Sequence, residues 1–270
     1  MYKKNIVNMT VGIGNSIKNN AKRYRLHAIL GICLLTVLAA IFAAPAIIQT
    51  ATGSVKKELP IYCVDKEEPV VALTFDAAWG NEDTEKILSI LEKHDIKVTF
   101  FATGGWVESY PEDVKKIIEA GHAFGNHSEN HKYMTKLSNS DIKEELMLVH
   151  NKVKELTGYE MCLFRPPYGD YSDSVIKGAE ECGYYTIQWS VDSLDWKDYG
   201  VDSIIKTVTQ HKALDNGAII LMHNGSKYTA DALDTLITNL KEQGYSFVTV
   251  SELIYKNNYS IDHTGKQISK

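Results

Sequence analysis

From Val70 onward the chain alternates short apolar runs with amphipathic stretches, and that alternation sets the expected framework. Continuous apolar segments predict strands at VVALTF (70–75), VTFFA (98–102), HAFG (122–125), MCLF (161–164), YYTIQWSV (184–191), AIILM (218–222) and FVTV (247–250). Between them the period changes to that of a helix. Residues 82–94 put Ile87, Leu88 and Leu91 on one face, and the next helix has Pro111 in its first turn and Gly121 just past its end. The longest helix is bounded by Ser138, with Asp141 three residues on as in a capping box, and by Gly158; Ile142, Leu146, Val149, Val153 and Leu156 form its apolar stripe. A last helix, near Thr229 to Gln243, carries Leu233, Leu236, Ile237 and Leu240 and stops at Gly244. Strands buried on both faces and separated by helices predict parallel β/α units. About seven such units fit a distorted (β/α) barrel, with a doubly wound open sheet as the alternative. No glycine-rich phosphate loop follows the first strand, which removes the usual support for a nucleotide site.

The first 68 residues follow a different pattern. Residues 1–25 form a basic lead, and Leu26 to Ile48 form an apolar run with His27 as its one ionisable imidazole, long enough to cross a hydrocarbon core as a helix. Cations lie on the N-terminal side of that run and Glu58 is the first acid, so the positive-inside bias places the bulk of the chain outside the cytoplasm. The run is thus expected to be a single-pass transmembrane anchor in the cell membrane. Secretion after cleavage at a site such as Ala44-Pro45-Ala46 is the alternative. Residues 49–68 read as a linker and a lead-in strand, 69–255 as the main domain and 256–270 as a C-terminal tail.

Charge sharpens this division. Six cations and no acid precede residue 51, so the overall −5 becomes −11 for residues 51–270. An acidic main domain argues against nucleic acid as a partner. Cys33 lies in the apolar run, and the odd set Cys63, Cys162 and Cys182 fits no disulfide framework.

Candidate chemistry falls at one end of the predicted strands. Asp76 follows VALTF, His127 follows HAFG, Arg165 follows CLF, Asp192 and Asp195 follow TIQWSV, and His223 follows IILM. These are the C-terminal ends of parallel strands, where β/α folds build their sites. In GNHSENH (125–131) the four-residue spacing of His127 and His131 would, on a helix, put both imidazoles on one face within reach of one metal ion. His122, His150, His211 and His263 lie outside these clusters and read as surface or packing residues.

Five stretches, TFDAAWG (74–80), HSENH (127–131), RPPYG (165–169), DSLDW (192–196) and LMH (221–223), appear in the order of the motifs of the polysaccharide deacetylase family. This family is also known as carbohydrate esterase family four or the NodB homology domain, and the resemblance covers roughly residues 69–255. The TFDAAWG form is similar to the sporulation-associated subgroup. The resemblance implies a metal-dependent hydrolase that removes N-acetyl groups from an amino-sugar polymer, cell-wall peptidoglycan above all. By the same mapping Asp76 is the catalytic base, His223 the general acid, Arg165 the residue that orients the base and Asp195 the residue that tunes His223. His127 and His131 are metal ligands, the Tyr168 backbone N–H is the oxyanion donor, Trp196 is a pocket wall and Leu221 lines the acetyl pocket. The cofactor implied is one divalent ion, zinc first, with cobalt and nickel compatible with nitrogen ligands.

One position departs from the family pattern. Two successive aspartates, base then metal ligand, are usual in the first motif, and here the second is Ala77. Three outcomes stay open: a weaker site held by His127, His131 and water; a substitute ligand such as Asp76 or Glu129; or no functional metal. The alternative function is accordingly a non-catalytic, wall-glycan-binding pseudoenzyme. A barrel hydrolysing some other amide is a third reading, disfavoured by the anchor.

Overall fold

The structure is a computed structural model that describes residues 22–25, 27–29, 31–37 and 57–270. The chain divides into two units, residues 1–56 and 57–270. In the first, the described residues are helical, and Ile29, Ile32, Leu34, Leu35 and Val37 expose their side chains. No helix among the described residues is long and apolar enough to cross a membrane. Leu26, Leu30 and residues 38–48 of the expected anchor lie outside the described residues.

Eleven strands form the sheet of the second unit. They are β1 (Cys63–Val64), β2 (Val70–Ala77), β3 (Thr99–Ala102), β4 (Ala123–Asn126), β5 (Leu163–Phe164), β6 (Tyr185–Thr186), β7 (Val191–Asp192), β8 (Ala218–His223), β9 (Ser246–Phe247), β10 (Tyr259–Ile261) and β11 (Lys266–Ser269). From β8 through β2, β3, β4 and β5 to β6 every pairing is parallel, and β7 and β9 add parallel partners to β8 and β2. The expected parallel β/α architecture is therefore present, in a distorted form. Residues 184–191, anticipated as one strand, change partner midway. Ile187 bridges Ile61, and the Gln188 N–H donates to the Ile61 carbonyl before the chain reaches β8. This crossing, with the antiparallel contact of β1 on β8, draws the sheet round into a barrel.

The helices cover the outer face through the stripes that the sequence marks. Ile87 and Leu91, Val114 and Ile117, Ile142 with Leu146, Val149 and Val153, and Leu233 with Leu236, Ile237 and Leu240 are all buried in one core with Leu73, Phe75 and Phe100 of the sheet. Ser138 accepts from the Asp141 N–H at 3.2 Å, and Gly158 ends the helix Asn139–Thr157 in the left-handed conformation, φ 74°.

Two expectations are corrected at the C-terminal end. Thr249 and Val250, expected in a strand as part of the apolar run FVTV, instead cap and start the helix Val250–Leu253, because Thr249 and Glu252 form a reciprocal capping box. Residues 256–270 are not a tail: β10 and β11 form a hairpin, and β11 pairs with the exposed edge of β1. The fully buried Gln267 secures it, accepting from the Tyr255 N–H and donating to the Tyr255 carbonyl, each at 2.8 Å.

Candidate active site

Register brings the reactive groups together. Asp76 of β2 lies beside His223 of β8, Ala77 beside Ala102 of β3, and Asn126 of β4 beside Phe164 of β5. His127 and Arg165 therefore leave the C-terminal end of the sheet one residue past the level of Ala77, beside Asp76. The Arg165 Nη1 donates to Asp76 Oδ1 at 2.7 Å and to Thr74 Oγ1 at 2.9 Å. Thr74 in turn donates to the Ile220 carbonyl at 2.6 Å, and the guanidinium lies 4.2 Å from the Phe101 ring centroid. Burial alone would push the Asp76 carboxyl up, but Arg165, with His127 and His223 behind it, outweighs burial and holds it below the usual carboxylate range.

A second ion pair faces the first. His223 Nδ1 lies 2.8 Å from Asp195 Oδ1, the His223 backbone N–H donates to Asp195 Oδ2 at 2.7 Å, and Thr229 Oγ1 donates to the same oxygen at 2.7 Å. Asp195 is fully buried. Burial pulls His223 down, yet the hydrogen bond and charge of Asp195 more than offset it, and the imidazole is raised above its ordinary value. With Nδ1 engaged, Nε2 is the nitrogen left for a ligand.

His127 and His131 meet, but not as a helix would bring them. After β4 the chain runs as a loop with Ser128 at φ 64° and His131 at φ 53°, and the two ring centroids are 5.0 Å apart. Side chains replace the missing helical ladder. The Ser128 N–H donates to Asn126 Oδ1 at 2.9 Å, and the His131 N–H donates to Ser128 Oγ at 3.1 Å. Glu145, buried on the core-facing side of the long helix, accepts from the Asn130 backbone and side chain at 2.8 Å and pairs with Lys132 at 2.7 Å. His127 Nδ1 donates to the Arg165 carbonyl at 2.7 Å, a tautomer assigned by that acceptor, which turns Nε2 toward Asp76 Oδ2 at 3.6 Å. Burial lowers His127, and burial followed by the neighbouring His127 lowers His131 to about 4, which favours the uncharged, electron-donating form of both rings.

That donor set does not complete a resident metal site. Among the described residues no group of three His, Cys, Asp or Glu side chains converges to hold an ion. Ala77 is fully buried in the sheet, and its methyl group has no lone pair. Asp76 is committed to Arg165 through one oxygen. Glu129, the other substitute considered, packs against Gly104 and pairs with Lys152, and it is absent from the groove wall. Two imidazoles supply half of a tetrahedral site.

These groups open into a groove of about 470 Å³ that Asp76, His127, His131, Tyr168, Trp196, Leu221 and His223 all line. The structure thus gathers seven of the nine anticipated residues in its wall, with Arg165 and Asp195 directly behind it. Tyr168 and Trp196 are 58% and 51% exposed, positions suited to contact a ligand and not to core packing. Leu221 is buried, 3% exposed, at the groove floor. Trp79 was not singled out from the sequence, though it sits within TFDAAWG. Its ring lies 6.3 Å from that of His223 at 19° and 5.8 Å from that of His131. Glu145 was missed too, and an acid on the core stripe beside Leu146 was its signal.

Comparison with known proteins is consistent with this geometry. The sequence model of the polysaccharide deacetylase family matches residues 64–187. The peptidoglycan-N-acetylmuramic acid deacetylase PdaA of Bacillus subtilis is 37% identical over 210 residues, 75% of this chain and 78% of that protein. A peptidoglycan-N-acetylglucosamine deacetylase of Bacillus cereus is 38% identical over 212 residues, 76% of this chain and 96% of that protein. The solved structure of wild-type BA3943 from Bacillus anthracis, described as a CE4 family pseudoenzyme, is 40% identical with a TM-score of 0.69, covering 72% of this chain and 68% of that one. A mutant of that protein, described as having restored enzymatic activity, is 42% identical with the same TM-score of 0.69 and covers 72% of this chain and 70% of its own.

Proposed function

The chain belongs to the polysaccharide deacetylase family, carbohydrate esterase family four, and from that premise we propose that it hydrolyses N-acetyl groups on an amino-sugar polymer, the peptidoglycan of the cell wall. One observation carries the reading: Asp76 and His223 stand side by side on neighbouring strands in a single groove, each ion-paired from behind, Asp76 by Arg165 and His223 by Asp195. Amide hydrolysis needs both. The anionic Asp76 takes a proton from the attacking water, and protonated His223 gives one from Nε2 to the departing amine; acetic acid and the free amine are the products, and proton exchange with solvent returns Asp76 to its anion and His223 to its cation. Between these steps the carbonyl oxygen carries negative charge, for which the Tyr168 N–H is the donor within this chain. Asp195 keeps His223 protonated further up the pH range, and Arg165 keeps Asp76 ionised. Both proton transfers belong to side chains of this chain, whose donor set falls short of a metal site.

Relatives acting on N-acetylmuramic acid and on N-acetylglucosamine match at similar identity, so the substrate is proposed at the level of an N-acetylated wall glycan. The basic lead and the apolar run 26–48, with the exposed apolar side chains from Ile29 to Val37, support a membrane-anchored protein whose main domain faces the wall. The TFDAAWG resemblance supports a role in sporulation.

A second reading is favoured by Ala77 and the incomplete donor set: a wall-glycan-binding pseudoenzyme using the same groove. One experiment separates the two. Acetate release from peptidoglycan and from acetylated chito-oligomers is measured for the wild type and for Ala77→Asp, with bound zinc counted in the same samples. The enzyme reading expects release by the wild type that His223→Ala abolishes. Glycan binding without release at any metal concentration selects the pseudoenzyme. Ala77→Asp is expected to tighten metal binding and raise the rate by about 10-fold or more, since it completes a three-ligand set.

A further inference from the structure

The turn that presents Tyr168 is built against its own preferences. Tyr168 is left-handed at φ 59°, ψ 9°, and Gly169 follows at φ 66°, so a bulky residue holds a conformation that glycine or asparagine would normally supply. Within the turn the Gly169 N–H donates to the Pro166 carbonyl at 3.1 Å and the Asp170 N–H to the Pro167 carbonyl at 3.0 Å. The Tyr168 N–H takes no part in these bonds. Two short backbone bonds do not explain why the strained residue keeps its place.

The explanation lies on the neighbouring segment. Tyr133 stacks on Tyr168, ring centroids 4.3 Å apart and 15° from parallel. Two residues further along each segment, the Thr135 N–H donates to Asp170 Oδ2 at 2.8 Å, and the Thr135 hydroxyl reaches both oxygens of the same carboxylate at 2.9 Å. Two residues before Tyr133, the His131 ring meets that of Tyr168 edge to face, ring centroids 4.6 Å apart and 64° between planes. The contacts at 131, 133 and 135 thus step along one segment in twos, while their partners step from 168 to 170 along the other. Neither Tyr133 nor Asp170 lines the groove of the reaction centre.

We infer that Tyr133, Thr135 and Asp170 are positioning residues: together they clamp the Tyr168 turn onto the His131 segment and fix the direction of the Tyr168 N–H. The inference rests on the reading of that N–H as the oxyanion donor. Each contact is near the surface and weak alone, so the clamp works through all of them together. A donor must lie within hydrogen-bond distance of the oxygen that develops charge, and the clamp supplies that fixed aim before substrate arrives.

The test uses the full chain, with amide hydrogen exchange followed over peptides spanning 166–170 and acetate release followed on acetylated chito-oligomers. In Asp170→Ala and Tyr133→Leu, exchange at 168–170 is expected to rise about fivefold or more, while β2 and β8 stay as protected as in the wild type. The value of kcat is expected to fall about tenfold with KM within about twofold. Asp170→Asn, which can still accept from the Thr135 N–H, and Tyr133→Phe, which keeps the stack, should restore most of both. Unchanged exchange in the two loss variants overturns the inference, and so does a loosened turn with unaltered kcat. A wild type that releases no acetate defeats the catalytic reading separately, and the exchange measurement still decides whether the clamp holds the turn.

Discussion

His223 owes its charge to one neighbour. Asp195, fully buried, accepts from the imidazole, from the backbone N–H of the same residue and from Thr229, so it cannot turn away. A histidine whose folded pKa is raised contributes stability that is fully present below its unfolded value, about 6.5, and that is lost as pH rises through the folded value. Asp195→Asn removes that contribution. The stability difference between wild type and variant, measured by denaturant unfolding, is therefore expected to be largest near pH 5.5 and to shrink toward pH 9. The alkaline limb of the pH–rate profile should move to lower pH in the variant, with kcat reduced by about 100-fold or more. An alkaline limb left in place would mean that another group supplies the proton. Residue types and spacing made Asp76, His127, Arg165 and His223 legible in the chain. The four-residue spacing of His127 and His131 would bring the rings together on a helix, and the structure brings them together on a loop instead, because Ser128 and Glu145 provide bonding partners that no local pattern announces.

Elements with a strong period are legible in the chain, and elements defined by a partner are not. The helices Thr84–Lys93, Asn139–Thr157 and Thr229–Glu242 fall within a few residues of the stripes that mark them, because burying one face fixes the same residues in any packing. By contrast β6 and β7 divide one apolar run, since after Ile187, whose N–H still donates to Phe164 of β5, the Gln188 and Ser190 N–H groups donate to Ile61 and Ile219 instead. The terminal hairpin is the extreme case. Its three- and four-residue strands carry little pattern of their own, and they exist because β1 offers an unpaired edge. Gln267→Ala leaves the Tyr255 N–H and carbonyl without their side-chain partner and is expected to cost about 1–3 kcal/mol, read as a lowered unfolding midpoint with the slope unchanged. Loss of less than about half a kcal/mol would show that water replaces the glutamine without penalty.

At the scale of the whole molecule the two units differ in what they bury. The sheet unit closes its core with the hairpin and the helices, whereas the described apolar side chains from Ile29 to Val37 are exposed. If residues 26–48 anchor the chain, the full-length protein will sediment with membranes and require detergent for release. Deletion of residues 1–50 will move it to the soluble fraction with its acetate release from soluble oligomers intact. Recovery of the full-length protein in the soluble fraction with an N-terminus near residue 47 would establish cleavage instead.

The parallel β/α framework, the stripes that form the core and the end of the sheet where chemistry collects are all written in the order of residues along the chain. Each follows from local periodicity or from residue type at a strand end. The absence of a carboxylate at Ala77 is written there too. Tertiary structure alone decided that Glu129 pairs with Lys152 and stays out of the groove, that Asp76 is bound to Arg165, and that Tyr133 and Asp170 grip the Tyr168 turn. These depend on which distant side chains arrive within 3 or 4 Å. Such contacts are fixed by register and closure of the sheet, to which no stretch of a few residues refers.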